Sequence, residues 1–365
     1  MKANGHGGDV YFASRELGRD VERLIDFSAS INPLGPSSQV WKALSKARIA
    51  LQHYPDPACR DLRQVLAMRW HCSPEEIVVG NGSTELIHVL PSALDIRNLL
   101  IVGPTFSEYA SAMSLVGGRV TTICAERHQG YRPPLEGVVA LLSRRKRTYR
   151  DIGAVLLCNP NSPTGQACDA ESVLDLARLA QRRGLWLVVD ETFADYCEER
   201  SILPKRSLFS RVVVLRSFTK FYGLPGLRVG YAVAAPAVVE RLRSRMPPWS
   251  VNAMGQVAAV AALNDAAYVG RSLSFMRNER ARFIARLARL PGCNVFPSQA
   301  NFVLVELPHR WGASAVAEKL RPEGLLIRDC SSVSGLNTHS IRVAVRTRRE
   351  NDRLVTALSK LLVHR

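Results

Sequence analysis

Ser217-Phe218-Thr219-Lys220 follows directly on the apolar run Val212 to Leu215, and Gly223, Gly226 and Arg228 come soon after. A lysine at the carboxyl end of a central strand lies close to water yet among backbone dipoles, where desolvation favours its neutral, nucleophilic amine. Such an amine can form an imine with an aldehyde cofactor. Ser217 and Arg228 add a hydroxyl and a guanidinium, the two groups best suited to hold a phosphate beside it. Taken alone, Ser-x-x-Lys equally suits a serine–lysine acylase or a chance surface pair.

Three further segments put polar side chains at the ends of apolar runs. Leu185 to Val189 leads into Asp190-Glu191, and a carboxylate at the end of a buried strand needs a cationic partner to stay ionised. The protonated nitrogen of a pyridine cofactor is such a partner; a helix N-cap is the plainer reading. Gly80-Asn81-Gly82-Ser83-Thr84-Glu85 follows a Val-rich run and opens a helical pattern. Its glycines let backbone N–H groups approach an anion at a helix N-terminus, so Gly82, Ser83 and Thr84 suit a phosphate, although a capping box uses the same letters. Asn159-Pro160-Asn161-Ser162-Pro163-Thr164-Gly165 reads as a rigid turn able to aim amide side chains at a ligand.

These segments need a scaffold that brings strand ends together. Ile77 to Val79, Asn98 to Val102, Ala154 to Cys158, Leu185 to Val189, Val212 to Leu215 and Val229 to Val233 read as strands. The alternation of such runs with helical patterns is the signature of a mostly parallel sheet covered by helices. Ala170 to Arg183 carries Val173, Leu174, Leu176, Ala177 and Leu179 at helical spacing and stops at Gly184, completing one βαβ unit. After Met246-Pro247-Pro248 comes an Ala-rich helical stretch from about 253 to 288, then a short αβ section. The organisation expected is an N-terminal arm (1–44) joining a small α+β domain (246–365), around a large α/β domain (45–245).

Composition excludes several classes. Within the 365 residues no run of about 18 apolar residues appears, and MKANGHGGDV lacks the apolar centre of a signal peptide. A cytoplasmic protein without membrane association is expected. Eight scattered cysteines form no closely spaced pairs, so neither a metal site nor a redox motif is expected. The net charge of +17 and the cluster Arg144, Arg145, Lys146, Arg147 and Arg150 raise nucleic acid as a partner. With only Tyr149 as an interleaved aromatic and no nucleic-acid module, the cluster reads as a solvated connection, and an anionic substrate accounts for part of the excess.

Taken in order, the four segments resemble the fold type I pyridoxal-phosphate enzymes, in the branch that holds the histidinol-phosphate aminotransferases and the threonine-phosphate decarboxylases. The likeness runs from His-Gly-Gly near the start to Ile-Arg-Val near the end. It implies the aminotransferase fold, pyridoxal 5'-phosphate as cofactor, Lys220 as the Schiff-base lysine and Asp190 as the partner of the pyridine nitrogen. It also implies cofactor contacts from Gly82, Ser83, Thr84, Ser217, Thr219 and Arg228, and a ring stacked on Phe106. Tyr54, in Tyr-Pro-Asp, resembles a residue that reaches the cofactor phosphate of a neighbouring subunit, which implies a homodimer. The chain departs from the pattern twice: Ser162 stands where the family usually has Asn, and Phe193 where its aminotransferases usually have Tyr. Both usual residues bond the phenolic oxygen of the cofactor, so that contact must be remade by Ser162, Asn161 or water, or be weaker.

Within the branch, the resemblance favours the decarboxylases. Asn4-Gly5-His6-Gly7-Gly8-Asp9 is similar to their N-terminal segment, with a glycine pair that lets the chain cross a cleft and His6 placed against an anion. Phe27 to Gly35 also matches, with Asn32 expected in the substrate site. Arg328 and Arg342 each lie beside a short apolar strand, and two guanidiniums suit a small amino-acid phosphate that carries both carboxylate and phosphate. The implied activity is decarboxylation of L-threonine O-3-phosphate to 1-amino-2-propanol phosphate for cobalamin. Histidinol-phosphate amino transfer is the alternative, and a non-catalytic binding protein on the same fold is the alternative of another class. The bond held perpendicular to the cofactor ring is the one that breaks, a geometric choice that residue types leave open.

Overall fold

The structure, a computed structural model, describes residues 7–143 and 151–363. His6 and the basic cluster at 144–150 lie outside the described residues. The strands are β1 (Ile25–Asp26), β2 (Ile77–Gly80), β3 (Asn98–Gly103), β4 (Arg119–Cys124), β5 (Ala154–Cys158), β6 (Trp186–Asp190) and β7 (Val212–Ser217). They continue with β8 (Gly230–Val233), β9 (Asn294–Val295), β10 (Phe302–Glu306), β11 (Leu325–Leu326), β12 (Arg328–Asp329) and β13 (Ser340–Ala344).

A seven-stranded sheet runs in the order β2-β8-β7-β6-β5-β3-β4, and only β8 is antiparallel to its neighbours. Every residue of β5 and β7 is buried, as expected for central strands covered by helices on both faces. The expected runs therefore became strands, four of the six extended by one or two residues at the carboxyl end. The sequence reading missed β4. It is an edge strand whose first four residues are exposed, so it carries no apolar run to detect.

The helix Ala170–Arg183 forms as read, with Asp169 accepting from the Ser172 N–H at 2.8 Å. The expected single stretch from 253 to 288 is instead two helices, Ala253–Leu263 and Ala266–Leu287. The break falls at Asn264-Asp265, where the Asp265 carboxylate accepts from the Tyr268 N–H at 2.9 Å and starts the second helix. The first helix packs on Ser38–Lys46 and Arg60–Trp70, and the second on β10 and on Arg348–Val363. A second sheet, β12-β13-β10-β9, is antiparallel, and β1 pairs in parallel with β11. No helix among the described residues is long and apolar enough to cross a membrane.

Behind the carboxyl ends of β6 and β7 lies a buried charge network. Arg216 is fully buried and reaches Glu191 at 2.8 Å, the Ser201 hydroxyl at 2.9 Å and Asp195 at 3.5 Å, with its guanidinium 4.9 Å from the Trp70 ring. Glu191 also accepts from the Ile202 N–H at 2.9 Å. Because β-strand side chains alternate in direction, Arg216 and Ser217 face opposite sides, as do Asp190 and Glu191. The ion pair thus ties the two strand ends together from behind while their neighbours face forward. Replacing Arg216 by Met strands two buried carboxylates, and the variant is expected to lose about 3 to 5 kcal/mol. Denaturant unfolding of the two proteins side by side measures this; a loss below about 1 kcal/mol would contradict the network's role.

Candidate active site

The carboxyl ends of β2, β3, β5, β6 and β7 and the amino end of antiparallel β8 meet along one edge of the large sheet. A cavity of about 710 Å³ opens there. Ligands of open α/β sheets bind in this position because loops diverge beyond the strand ends. Ser83, Thr84, Phe106, Ser162, Asp190, Phe193, Ser217, Thr219, Lys220, Arg228, Arg328, Arg342 and Gly7 all line the cavity.

Its first wall is built to receive an anion. The helix Gly82–Ala93 begins at the cavity, and Gly82 has φ +78. A Cβ on Gly82 would lie 2.5 Å from Arg228 Nη2, so only glycine lets the guanidinium rest against the helix terminus. Arg228 itself adopts φ 53 just before β8. Ser217 and Thr219 share a hydroxyl hydrogen bond of 2.9 Å beside it. Helix N-terminus, guanidinium and hydroxyls thus converge on one point, the usual chemistry of phosphate binding.

The cavity floor carries the carboxylate and the amine. Asp190 is buried, and its Oδ1 accepts from the Thr192 N–H at 2.9 Å while its Oδ2 accepts from the Tyr109 hydroxyl at 2.7 Å. Tyr109 was not singled out from the sequence; burial and the neighbouring Asp190 charge push its hydroxyl well above the usual phenol range, so it remains a donor. Lys220 is half-buried. Desolvation, then the charges of Arg342 and Arg228, bring its amine down from 10.5 to about 8, against the opposing pull of Asp190 and Asp26. A sizeable neutral fraction at physiological pH suits it to act as a nucleophile. Cys158 also lines the cavity, but burial and Asp190 push its thiol up to about 12, which leaves it inert.

The opposite wall comes from the second sheet and the N-terminal segment. Arg342 on β13 donates to the Ser162 hydroxyl at 2.9 Å and to the Ser28 carbonyl at 2.7 Å, and its guanidinium sits 5.0 Å from the Phe302 ring. Phe193 packs edge-on against the same ring at 5.0 Å. Arg328 is directly opposite Arg342 across the β12–β13 ladder. Its guanidinium forms no hydrogen bond or ion pair among the described residues. Like charges facing each other across a ladder are unfavourable unless an anion lies between them. Gly7 approaches Ser28 so closely that a Cβ would stand 2.4 Å from the Ser28 carbonyl oxygen. Gly8 lies behind it, its N–H donating to the Ser28 hydroxyl at 2.8 Å.

Two expected contacts are not made at the cavity. Asn32 does not line it: its amide donates to the Phe221 carbonyl, the Tyr268 hydroxyl and the Ser272 hydroxyl at 2.8 to 3.0 Å. Its backbone N–H donates to the Lys220 carbonyl at 2.9 Å. Asn32 therefore supports the lysine loop from beneath, since a saturated buried amide has no donor left for a ligand. Asn161 also turns away, donating to the Pro104 carbonyl and the Thr164 hydroxyl at 2.8 Å each. Tyr54 is 82% exposed and stacks on Trp249 at 4.9 Å, outside the cavity of its own chain.

Residues 22–358 match the family model of class I and II aminotransferases. A threonine-phosphate decarboxylase of Salmonella typhimurium is 34% identical, with 98% of this chain and 97% of that protein aligned. A histidinol-phosphate aminotransferase of Anaeromyxobacter is 35% identical over 98% of this chain and 95% of its own length. Among solved structures, the L-threonine-O-3-phosphate decarboxylase of Porphyromonas gingivalis superposes with a TM-score of 0.80 at 27% identity, covering 93% of this chain and 99% of that one.

Lys220 gives the site a pH signature. Its amine titrates near 8 when folded and near 10.5 when exposed, so between these values the unfolded chain holds the extra proton. The burial penalty is full below about 8 and gone above about 10.5, and stability of the cofactor-free protein should rise with pH through that window. Thermal midpoints compared with Lys220→Met, which lacks this proton, should converge toward pH 10; parallel curves would refute the depressed amine.

Proposed function

We propose, from the premise that this chain belongs to the class I and II aminotransferase family, that it is a pyridoxal-phosphate-dependent carbon–carbon lyase. Its reaction is the decarboxylation of L-threonine O-3-phosphate to (R)-1-amino-2-propanol O-2-phosphate, in cobalamin biosynthesis. The observation that carries this reading is the facing pair Arg328 and Arg342, the former without a partner among the described residues. One substrate with a carboxylate and a phosphate a few atoms apart neutralises both guanidiniums together. Histidinol phosphate carries no carboxylate, so it would leave one of them uncompensated.

The residues present fit the cofactor. The space beside Gly82 and Arg228 suits its phosphate, with Ser83, Thr84, Ser217 and Thr219 as further donors. Asp190, held in place by two donors, would pair with the pyridine nitrogen, and Phe106 would stack on the ring. When bound, pyridoxal phosphate supplies a conjugated system that accepts the electrons of the breaking bond. Lys220 would hold the aldehyde covalently; once the substrate nitrogen replaced it, the freed amine would take up the proton lost by the substrate ammonium and, as an ammonium, return it to the carbon that lost carbon dioxide. Arg342, positioned by Ser28 and Ser162, would orient the carboxylate, and Arg328 the phosphate. At position 162 the serine hydroxyl accepts from Arg342 and keeps its own proton to donate to the phenolic oxygen, a contact that Phe193 cannot make and Asn161 is turned away from.

The same reading makes the working unit a cytoplasmic homodimer. Trp41, Ile49, Leu51 and Tyr54 are all exposed, and Tyr54 packs against half-exposed Trp249. Large apolar side chains clustered on a surface mark an interface. A second copy covering them would let Tyr54 reach the partner's cofactor phosphate.

Purified holoenzyme should release carbon dioxide from L-threonine O-3-phosphate and show no 2-oxoglutarate-dependent transfer from histidinol phosphate. Transfer without release of carbon dioxide would favour the aminotransferase instead. Lys220→Ala should abolish turnover and borohydride-trapped pyridoxyl label alike. Arg328→Met should raise KM about 10- to 100-fold, the worth of one charge-assisted contact, with a smaller effect on kcat.

A further inference from the structure

Residues Cys330, Ser332, Val333 and Ser334 line the cavity, yet they belong to a loop with little pairing of its own. Two turn bonds, from the Val333 N–H to the Cys330 carbonyl and from the Leu336 N–H to the Val333 carbonyl, shape it. Its far end is held by contacts with the large-sheet side of the cleft. Gly335, at φ 92, lies against Cys124 and Pro104, where a Cβ would stand 2.9 Å from the Cys124 sulfur. Leu336 packs into a small apolar cluster of Ala125, Tyr131, Phe296 and Leu304. The side chain of Asn337 donates to Glu306 at 2.9 Å.

Glu306 ends β10 and is only 3% exposed. Besides Asn337, it accepts from Arg127 at 2.8 and 3.0 Å, from the Tyr131 hydroxyl at 3.1 Å and from the Asn294 amide at 3.4 Å. Arg127 and Tyr131 follow β4 at the edge of the large sheet, whereas Asn294 begins β9 and Asn337 precedes β13 in the second sheet. A buried carboxylate is costly unless its acceptor sites are filled, and here donors from both sides of the cleft must fill them together. Burial, and then the Glu306 carboxylate beside it, push the Tyr131 phenol up to about 12, so it stays a donor.

We propose that Glu306 is a positioning residue that seats the 330–336 loop as a wall of the substrate cavity and thereby sets affinity for the anionic end of the substrate. The loop follows β12, whose Arg328 has no side-chain partner among the described residues, and brings the Ser332 and Ser334 hydroxyls to the same cavity. Loosening its far end frees both the hydroxyls and the strand that carries Arg328. Glu306 touches no substrate; it acts through Asn337, Tyr131 and Arg127.

The consequence for substrate rests on the decarboxylase reading, whereas the seating of the loop does not. Glu306→Gln keeps the size of the side chain but loses the two-handed pairing with Arg127. In the holoenzyme it should raise KM for L-threonine O-3-phosphate about 10-fold, the worth of one or two buried hydrogen bonds, while kcat stays within about two-fold. Pyridoxal-phosphate affinity should be unchanged, and limited chymotrypsin digestion should cut after Leu336 faster than in the parent. Asn337→Ala, which removes the loop's own link, should reproduce both effects if Glu306→Gln fails to fold. A lowered thermal midpoint with unchanged KM and unchanged digestion would reduce Glu306 to a structural pair and overturn the proposal. If the parent releases no carbon dioxide, the decarboxylase reading fails alone, and faster cleavage at Leu336 still decides the seat.

Discussion

An amine that must be a nucleophile near neutral pH has to be kept partly out of water and among cations, and the rest of this molecule is arranged to meet that demand. Lys220 sits where desolvation, Arg342 and Arg228 all oppose its proton. The two arginines are themselves costly in a half-buried cleft, and each is held by a feature of the fold. Arg228 leans on a helix terminus that only glycine can offer, and Arg342 donates to Ser28 and Ser162. An anionic cofactor and an anionic substrate would relieve both concentrations of positive charge, so the electrostatics that prepare the lysine also select its ligands.

The scaffold serves this by stiffness at the strand ends. Parallel strands deliver Asp190, Ser217 and the loops of Phe106 and Ser162 to one edge, and the Glu191–Arg216 pair locks β6 to β7 directly behind them. A fully buried ion pair contributes little net stability compared with apolar packing. Its value lies in direction, because the pair has one good geometry and a slipped strand would break it. Asn32 works in the same way under the lysine loop, an amide satisfied on every side whose backbone N–H holds the Lys220 carbonyl.

The second sheet contributes the other half of the site. Arg328 and Arg342 come from β12 and β13, and the loop that follows β12 returns across the cleft to meet residues after β3 and β4. Glu306 gathers donors from both sides at that crossing. On the proposed reading, the cofactor contacts come from one sheet, while the substrate contacts depend on how well the two sheets are clamped.

Much of this was legible in the residues themselves. Apolar runs bounded by turn signals marked six of the strands in the large sheet, because a strand buried on both faces has to be continuously apolar. The chemistry at their ends was legible for the same reason: Lys220, Asp190 and the Gly82 turn are unusual residues immediately after such runs. The edge strand β4 was hidden by its exposed polar residues, and the break at Asn264-Asp265 by the alanines around it. What sequence alone could not decide were the long-range pairings: that Arg328 faces Arg342, that Arg216 closes on Glu191, that Tyr109 caps Asp190, and that Asn32 and Asn161 turn away from the cavity. Local sequence constrains backbone conformation and burial, which depend on near neighbours. Which donor fills which acceptor depends on strand order and register, and these exist only once the chain has folded.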